Sequence, residues 1–314
     1  MNPATGLYSA AAAIRNTLFD RGVLTSRQLD RPVISVGNLS VGGSGKTPFV
    51  IALGELLQAR GIQFDVLSRG YGRKTRGVLV VKPDGNASEY GDEPLLIARR
   101  LRVPVVVGES RYEAGRVAEQ KFQSQLHILD DGFQHRSLAR DFDIVLMMES
   151  DFSDKLLPSG RLREQVSSLQ RADAIVLPTR FEPDHPALQQ KRIWRARRDL
   201  VLPNSPSMPV VFCGIARPKQ FFAQVRAAGI KPAAEIIFRD HHAYDIDDIQ
   251  SLISVGRDRS ADGFLTTEKD AINFAPDRHL FQPLAIAKLN LSLDQPAEVL
   301  DTILAAIAGR KLHS

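Results

Sequence analysis

The chain has 314 residues, of which 43% are hydrophobic and 25% charged, and its formal net charge is +5. This composition excludes a chain that is disordered over most of its length, and the length allows one large domain or two smaller ones. The positive charge favours acidic partners such as nucleotides, nucleic acid or an anionic membrane, without choosing among them. A single cysteine, Cys213, excludes an internal disulfide and suits a reducing compartment.

The N-terminal region, residues 1–28, predicts an amphipathic helix. Leu7, Ala11, Ile14 and Leu18 share one helical face, and several arginines lie in or just after it. Such a helix can rest among the headgroups of an anionic membrane, or it can pack on the core as an ordinary helix. No stretch approaches the ~20 apolar residues that span a bilayer, and we see no secretory signal, so we expect the protein not to be exported.

Residues 29–205 predict an α/β core. Short apolar runs alternate with helical stretches, as expected for strands that are buried on both faces of a parallel sheet. The predicted strands are Val33–Val36, Phe64–Ser68, Val78–Val81, Val103–Val107, Leu126–Leu129, Ile144–Met147 and Ala174–Leu177. The predicted helices are Thr47–Arg60, Glu93–Arg100 and Arg111–Phe122. This pattern favours a doubly wound sheet.

The segment Phe181–Pro209 contains clustered prolines and no clear strand, and we interpret it as a connection between two units. Its basic run, Lys191–Arg198, is expected to be a solvated helix face, with a phosphate or lipid contact as the alternative. After Pro209 the alternation resumes, which predicts a second, smaller α/β unit over residues 206–314. Its predicted elements are Pro209–Cys213, Pro218–Ala228, Ala234–Phe238, Ile246–Val255, Gly263–Thr266, Leu284–Leu291 and Ala297–Ala308.

A glycine-rich segment, Gly37–Thr47, follows the first predicted strand and opens a helix. Strand, glycine loop and helix together are the setting of a phosphate-binding loop (P-loop), in which backbone N–H groups and the helix N-terminus face phosphate oxygens. The residues predicted to bind ATP are Gly42, Gly43, Ser44, Gly45, Lys46 and Thr47. Lys46 would reach the β- and γ-phosphates, and Thr47 would donate its hydroxyl to Mg²⁺. Ser40 stands where the usual pattern has its first glycine, which leaves the path of the loop open.

A P-loop needs a partner carboxylate at the end of a neighbouring strand to hold its metal ion. The run Leu126–Leu129 ends in Asp130 and Asp131, and Gly132 then allows a sharp turn. The alternative is an ordinary turn at the end of a strand. The guanine-recognition spacing is absent from Thr267–Asp270, since lysine and aspartate are adjacent there, so ATP is favoured over GTP.

Two further polar segments follow predicted strands or precede helices. Asp92 lies just before Glu93 and Pro94, where an aspartate can serve as a helix N-cap. The pair His241 and His242 follows a strand of the second unit, where histidines are usually solvated or structural. Spacing alone therefore leaves a structural and a catalytic role open for Asp92 and the histidines.

Eight segments taken together resemble the tetraacyldisaccharide 4′-kinases, which act in lipid A biosynthesis. They run in family order over roughly residues 1–275: GNLSVGGSGKTP (Gly37–Pro48), SRGYGR (Ser68–Arg73), GDEP (Gly91–Pro94), VGESR (Val107–Arg111), DDGFQH (Asp130–His135), GRLRE (Gly160–Glu164), DHH (Asp240–His242) and TEKDA (Thr267–Ala271). The family also has serine at the position of Ser40. The resemblance implies a P-loop kinase that transfers the γ-phosphoryl group of ATP to the 4′-hydroxyl of tetraacyldisaccharide 1-phosphate, giving lipid IVA.

The resemblance also implies roles for individual residues. Asp92 and His241 would form the catalytic dyad that activates the acceptor hydroxyl, with His241 preferred to His242. Thr47, Asp130, Asp131 and Glu164 would lie around Mg²⁺. Substrate binding would fall to Arg69, Tyr71, Arg73, Glu93 and Arg111. Lys269 and Asp270 belong to a family segment to which we assign no role.

The implied partners are the lipid A precursor and an anionic membrane surface, with no nucleic acid. The resemblance places the protein peripherally on the cytoplasmic face of the inner membrane of a Gram-negative bacterium. One competing interpretation is a P-loop ATPase or GTPase that serves as a metallochaperone or switch, although such proteins usually have clusters of cysteine and histidine. Another is a basic nucleic-acid or membrane adaptor, which would require neither the P-loop nor the aspartates.

Overall fold

The computed structural model of the chain describes residues 14–274 and 279–309. Within these ranges the strands form one twelve-stranded sheet with the order β10-β9-β11-β12-β8-β7-β6-β1-β5-β2-β4-β3. The strands are β1 (Val33–Asn38), β2 (Phe64–Ser68), β3 (Leu79–Val80), β4 (Val105–Val107), β5 (Leu126–Asp130), β6 (Phe142–Leu146), β7 (Ala174–Pro178), β8 (Arg192–Val201), β9 (Val210–Cys213), β10 (Ala234–Ile237), β11 (Phe264–Thr267) and β12 (Leu284–Leu293).

The α-helices with described bounds are α1 (Lys46–Ala59), α2 (Ala87–Tyr90), α3 (Asp92–Leu101), α4 (Arg111–Lys121), α5 (Pro218–Ala227), α6 (Ile246–Asp258), α7 (Glu268–Asn273) and α8 (Pro296–Ala308). Three 3₁₀ helices lie at Glu149–Phe152, Val166–Arg171 and Pro186–Leu188. The α/β class and the parallel core predicted from the apolar runs are confirmed, and apart from the run Lys191–Arg198 each predicted strand and helix overlaps an observed one. The short helices α2 and α7 were not predicted.

Strand β8 corrects the interpretation of the segment between the two units. The basic run Lys191–Arg198 was expected to be a solvated helix face, but most of it lies in this ten-residue strand. Trp194 and Ala196 are buried and charged residues surround them, so alternating burial is present but short. The many arginines concealed this two-residue period in the sequence.

Strands β8 and β12 join the two halves of the sheet. β8 is parallel to β7, with Pro178 opposite Ala196, so its last five residues extend past the end of β7. β12 pairs antiparallel with that extension, and its first residues pair in parallel with β11. The strands of the second half therefore run opposite to those of the first. The predicted division into residues 29–205 and 206–314 falls in the β8–β9 connection and stays a prediction.

The N-terminal segment is helical over residues 14–20, whereas Leu7 and Ala11 lie outside the described residues. Asp20 forms an ion pair of 2.7 Å with Arg136, and Arg15 donates to the backbone oxygen of Gln134 at 2.8 Å. Ile14 is 60% exposed. No helix in the described part of the chain combines the length and the apolar character needed to cross a membrane.

A buried ion network ties the middle of the sheet to α4. His127 on β5 is fully buried, with Nδ1 2.8 Å from Asp65 Oδ1 and Nε2 3.5 Å from Glu119 Oε1. Burial alone would lower the pKa of His127, but the hydrogen bonds to Asp65 and Glu119 outweigh it and raise the pKa to about 9. The imidazolium form is therefore favoured by folding.

We expect stability to depend on the protonation of His127. Because its folded pKa of about 9 exceeds the ordinary value of 6.5, the contribution is complete below pH 6.5 and is lost as the pH rises through 9. Urea unfolding from pH 6 to 10 should show a loss on the order of 1–3 kcal/mol in the wild type that His127→Gln lacks. Parallel pH profiles for the two proteins would contradict this assignment.

Candidate active site

The phosphate loop connects β1 to α1 and depends on three glycines in left-handed backbone conformations. Gly42, Gly43 and Gly45 have φ values of 73°, 60° and 89°. Ser40 is fully buried and has no left-handed φ, so a glycine is not required there. The uncertain path of the loop at Ser40 is thereby resolved.

The first turn of α1 offers unpaired N–H groups to an anion. The helix begins at Lys46, its N-cap Gly45 provides no side-chain cap, and the first turn contains no acidic residue. Unpaired amides and the helix dipole together favour a bound phosphate. Lys46 Nζ donates to Asn38 Oδ1 at 3.0 Å and lies 3.5 Å from Asp131 Oδ1, which holds the ammonium beside the loop.

Asp130, the last residue of β5, and Asp131, which follows it, lie next to this loop. Asp130 Oδ2 accepts from Ser68 Oγ at 3.1 Å, while its Oδ1 is buried without a partner. Burial, followed by the charges of Glu93 and Asp131, raises the pKa of Asp130 to about 7. Burial also disfavours the charge on Asp131, but Lys46 and Arg163 outweigh it and lower the pKa of that carboxyl.

The candidate Mg²⁺ residues are near one another but do not form a ready-made cluster. In the described ranges, no three acidic, histidine or cysteine side chains converge on one metal position. Glu164 is engaged by Arg171 at 2.9 Å and by Asn16 at 2.6 Å. The orphan oxygen of Asp130 and the buried hydroxyl of Thr47 fit a magnesium ion best, because Mg²⁺ takes a few protein oxygens and keeps water and phosphate as its other ligands.

Asp92 and His241 meet across the interface between the two halves of the sheet, although 149 residues separate them. His241 Nδ1 lies 2.8 Å from Asp92 Oδ2, and Asp92 Oδ1 accepts the N–H of Glu93 at 2.9 Å. The hydrogen bond to Asp92 raises the pKa of His241. Gly91 serves as the N-cap of α3, so Asp92 is the first residue of the helix rather than its cap.

His242 faces a different environment from its neighbour. Its Nε2 lies 2.7 Å from Asp248 Oδ2, and its ring stacks on Phe238 with the centroids 4.7 Å apart. The ring of His241 instead lies 5.3 Å from that of Tyr71. Of the two histidines, His241 is therefore the one in contact with Asp92.

One cavity of about 1000 Å³ brings most of the predicted residues together. Its lining includes the six predicted ATP-binding residues, the three candidate metal-binding carboxylates, and Arg69, Tyr71, Glu93, Arg111 and His241. Asp92 is 5% exposed and lies behind the lining residues Glu93 and His241. Arg73 is turned elsewhere: it donates to Glu109 and to the backbone oxygen of Gly77, both at 2.7 Å.

The TEKDA segment connects the second half of the sheet to the dyad. Lys269 forms an ion pair with Glu93, the neighbour of Asp92. Burial raises the pKa of Glu93, but Lys269 and Lys46 outweigh it and hold the pKa at about 2. Asp270 is buried and accepts from Gly214 N at 2.7 Å and from two hydroxyl groups, those of Tyr244 and Thr267. Sequence reasoning excluded a guanine-recognition motif here and otherwise found the segment through the resemblance, without giving it a role.

A group of arginines surrounds the phosphate loop, and the sequence offered a phosphate contact only as the alternative interpretation of the run that contains Arg198. Arg161, Arg198 and Arg217 contact the loop or pack against its glycines. Arg198 lies in the run that was interpreted as a solvated helix face. The two-residue alternation around Trp194 and Ala196 was the signal that could have identified this run as a strand.

A phosphate loop after the first strand, with an aspartate at the end of the adjacent strand, defines a P-loop nucleotide-binding protein. A family profile described as "Tetraacyldisaccharide-1-P 4'-kinase" matches residues 1–308. The tetraacyldisaccharide 4'-kinase of Koribacter versatilis is 46% identical and covers 99% of this chain and 100% of its own length. That of Aquifex aeolicus is 39% identical, with 89% and 90% covered.

A solved structure, the "apo" form of LpxK from Aquifex aeolicus in complex with ATP, matches with a TM-score of 0.79 and 34% identity. The match covers 97% of this chain and 98% of that one. The chain belongs to the tetraacyldisaccharide 4′-kinase family and has its P-loop kinase fold, as the resemblance implied.

The buried hydrogen bonds of Asp270 should make it a large contributor to stability. Asp270→Ala would leave Gly214 N–H and two hydroxyls without their acceptor, at a cost on the order of 2–4 kcal/mol. Asp262 is a matched control because it also accepts three hydrogen bonds but is exposed. Urea unfolding should show a much smaller loss for Asp262→Ala, and equal losses would contradict the assignment.

Proposed function

We propose that this chain transfers the γ-phosphoryl group of ATP to the 4′-hydroxyl of tetraacyldisaccharide 1-phosphate. The observation that carries the proposal is the contact between Asp92 and His241 beside a cavity that also contains Lys46 of the phosphate loop. A proton acceptor for a hydroxyl thus lies directly beside the space that contains a cradle for a triphosphate. The family membership supplies the identity of the acceptor.

The reaction forms a bond between the acceptor oxygen and the γ-phosphorus and breaks the bond from that phosphorus to ADP. The acceptor's proton goes to the carboxylate of Asp92, which contacts the cavity-lining residues Glu93 and His241. His241 holds the carboxylate in place through its Nδ1–H and balances its charge. Lys46 and the loop amides orient the triphosphate and stabilise its developing charge. Mg²⁺, held by Asp130 and Thr47 with Asp131 and Glu164 nearby, would neutralise part of the charge on the phosphates.

Some of the predicted substrate-binding residues are placed to contact the acceptor, and others support the residues that do. Arg111 is 5% exposed, its Nε has no partner, and burial together with Arg69 lowers its pKa to about 10. Asp131 and Asp130 offset this charge only in part, so the buried guanidinium favours an anionic group of the acceptor. Tyr71 is 65% exposed and offers a ring face to a sugar. Glu93 belongs to the dyad's surroundings, and Arg73 supports the loop that carries Arg69 and Tyr71.

The activity is tested by incubating the protein with ATP, Mg²⁺ and a panel of acceptors, followed by mass analysis. The expected result is a mass gain of one phosphoryl group on tetraacyldisaccharide 1-phosphate alone. Phosphorylation of none of the acceptors, with intact ATP binding, would overturn the kinase assignment.

The dyad predicts that Asp92→Asn lowers the single-turnover rate by about 10²–10⁴-fold and leaves ATP affinity nearly unchanged. Asparagine keeps an oxygen for the N–H of Glu93 but lacks the charge that accepts the proton. His241→Ala should cause a related loss that is not additive with that of Asp92→Asn, because the two residues act as a unit.

His242→Ala is the matched control, since His242 contacts Asp248 and not Asp92. Its single-turnover rate should stay near that of the wild type, with thermal unfolding as the check on folding. A near-normal rate in Asp92→Asn would exclude the base role, and fully additive losses would exclude the dyad.

The N-terminal segment supplies the proposed membrane contact. Ile14 and Val23 are 60% and 66% exposed, and Arg15 and Asn16 of the same segment line the cavity. An acceptor whose sugar enters the cavity could therefore keep its acyl chains in the lipid beside these residues. Such a contact suits a peripheral protein on the cytoplasmic face of the inner membrane of a Gram-negative bacterium.

We expect Ile14→Asp and Val23→Asp together to weaken cosedimentation with anionic vesicles, because each places a charge where an apolar side chain meets lipid. The control is the pair Ile237→Asp and Ile246→Asp, which changes residues that are 54% and 50% exposed in the second half of the chain. Equal vesicle binding by both double variants and the wild type would show that the segment is not the membrane contact.

A further inference from the structure

Two arginines from outside the phosphate loop cover that loop. Arg198 comes from β8, and Arg217 comes from the second half of the chain. Arg198, near the end of β8, donates to the backbone oxygens of Gly43, at 3.3 Å, and Ser44. A Cβ on Gly45 would lie 2.7 Å from Arg198 Cζ, and one on Gly43 would lie 3.0 Å from the side chain of Arg217. The loop glycines therefore leave the space that these two side chains occupy.

Neither guanidinium forms an ion pair among the described residues, and the charges of Asp151 and Asp154 offset theirs only in part. Among the described residues, Arg198 and Arg217 have no acidic side chain within ion-pair distance, and Nε and Nη2 of Arg217 are buried without any hydrogen-bond partner. Burial, and then the charge of Arg217, lowers the pKa of Arg198 to about 10. Burial and the charge of Arg161 lower the pKa of Arg217.

Half-buried cations that lack an ion-pair partner are costly, and a bound anion would reduce that cost. The anion must fit at the phosphate loop, where the amides of the first turn of α1 and Lys46 already favour phosphate. Arginine suits this role because its fork binds two phosphate oxygens at once. Both arginines line the cavity that contains the loop.

We infer that Arg198 and Arg217 bind the β- and γ-phosphates of ATP and so complete the phosphate site from outside the P-loop. The inference rests on the proposed use of ATP by this chain. Arg217 lies between β9 and α5, so the nucleotide contacts both halves of the sheet at its phosphates. A phosphate of the lipid acceptor is chemically similar, but the packing on Gly43 and Gly45 favours the nucleotide.

The test compares Arg198→Met and Arg217→Met with matched variants of neighbouring cations. Arg197→Met changes an arginine of the same strand that is paired with Asp199 and largely exposed, and Lys219→Met changes an exposed lysine of α5. Calorimetry would give the affinity for ATP, ADP and AMP, and steady-state rates would give the KM for the acceptor. Arg198→Lys and Arg217→Lys keep the charge without the fork.

Each methionine variant should bind ATP and ADP about 10- to 100-fold more weakly, as expected for the loss of charged hydrogen bonds, and should bind AMP nearly as the wild type does. The lysine variants should recover part of the loss, and the control variants should show none. If the variants show these differences in affinity but the wild-type protein phosphorylates no acceptor, the proposed function is refuted and the inference is supported.

Three results would overturn the inference. Unchanged ATP and ADP affinity in both methionine variants would show that neither arginine touches the phosphates. A raised KM for the lipid acceptor alone would assign the arginines to the acceptor's phosphate. Equal weakening of ATP, ADP and AMP together with a lower Tm would indicate a purely structural role.

Discussion

The pairing of β8 with β12 fixes how the two halves of the sheet face each other. Both strands have ten residues, and they pair antiparallel from Lys288 opposite Val201 to Leu293 opposite Ala196. Because β8 extends five residues past β7, on the order of 16 Å, the second half begins beyond the carboxyl ends of the first. Its strands run in the reverse direction, so the carboxyl ends of the two halves point towards each other across the cavity.

Polar loops at carboxyl ends are where parallel sheets bind ligands, and here two such sets converge. The first contributes the phosphate loop and Asp130, and the second contributes His241 and Arg217. Crowding these charges away from water raises the pKa of Asp130 and lowers that of Arg198. Without substrate these shifts oppose stability, which is the usual consequence of a site arranged for charged ligands.

Local patterns predicted the features that local sequence determines. The P-loop and Asp130 follow apolar strands in the chain and could be placed by spacing, and almost every strand was found because buried parallel strands are apolar throughout. β8 was missed because its arginines obscure a short alternation around Trp194. The contact between Asp92 and His241 joins residues 149 positions apart, so no spacing could predict it, and it came from the family resemblance.

The geometry of the dyad is set by backbone contacts as well as by its side chains. His241 has a φ of 58° and Gly91, just before Asp92, a φ of 90°, so the loops that carry both residues turn through left-handed conformations. For a histidine this conformation costs on the order of 1 kcal/mol or more and requires support. His241 N donates to the oxygen of Gly214 at 3.1 Å, and Asp270 accepts the N–H of Gly214. A buried aspartate of the TEKDA segment thus helps to fix the backbone from which His241 reaches Asp92, which gives that segment a physical role next to the reaction.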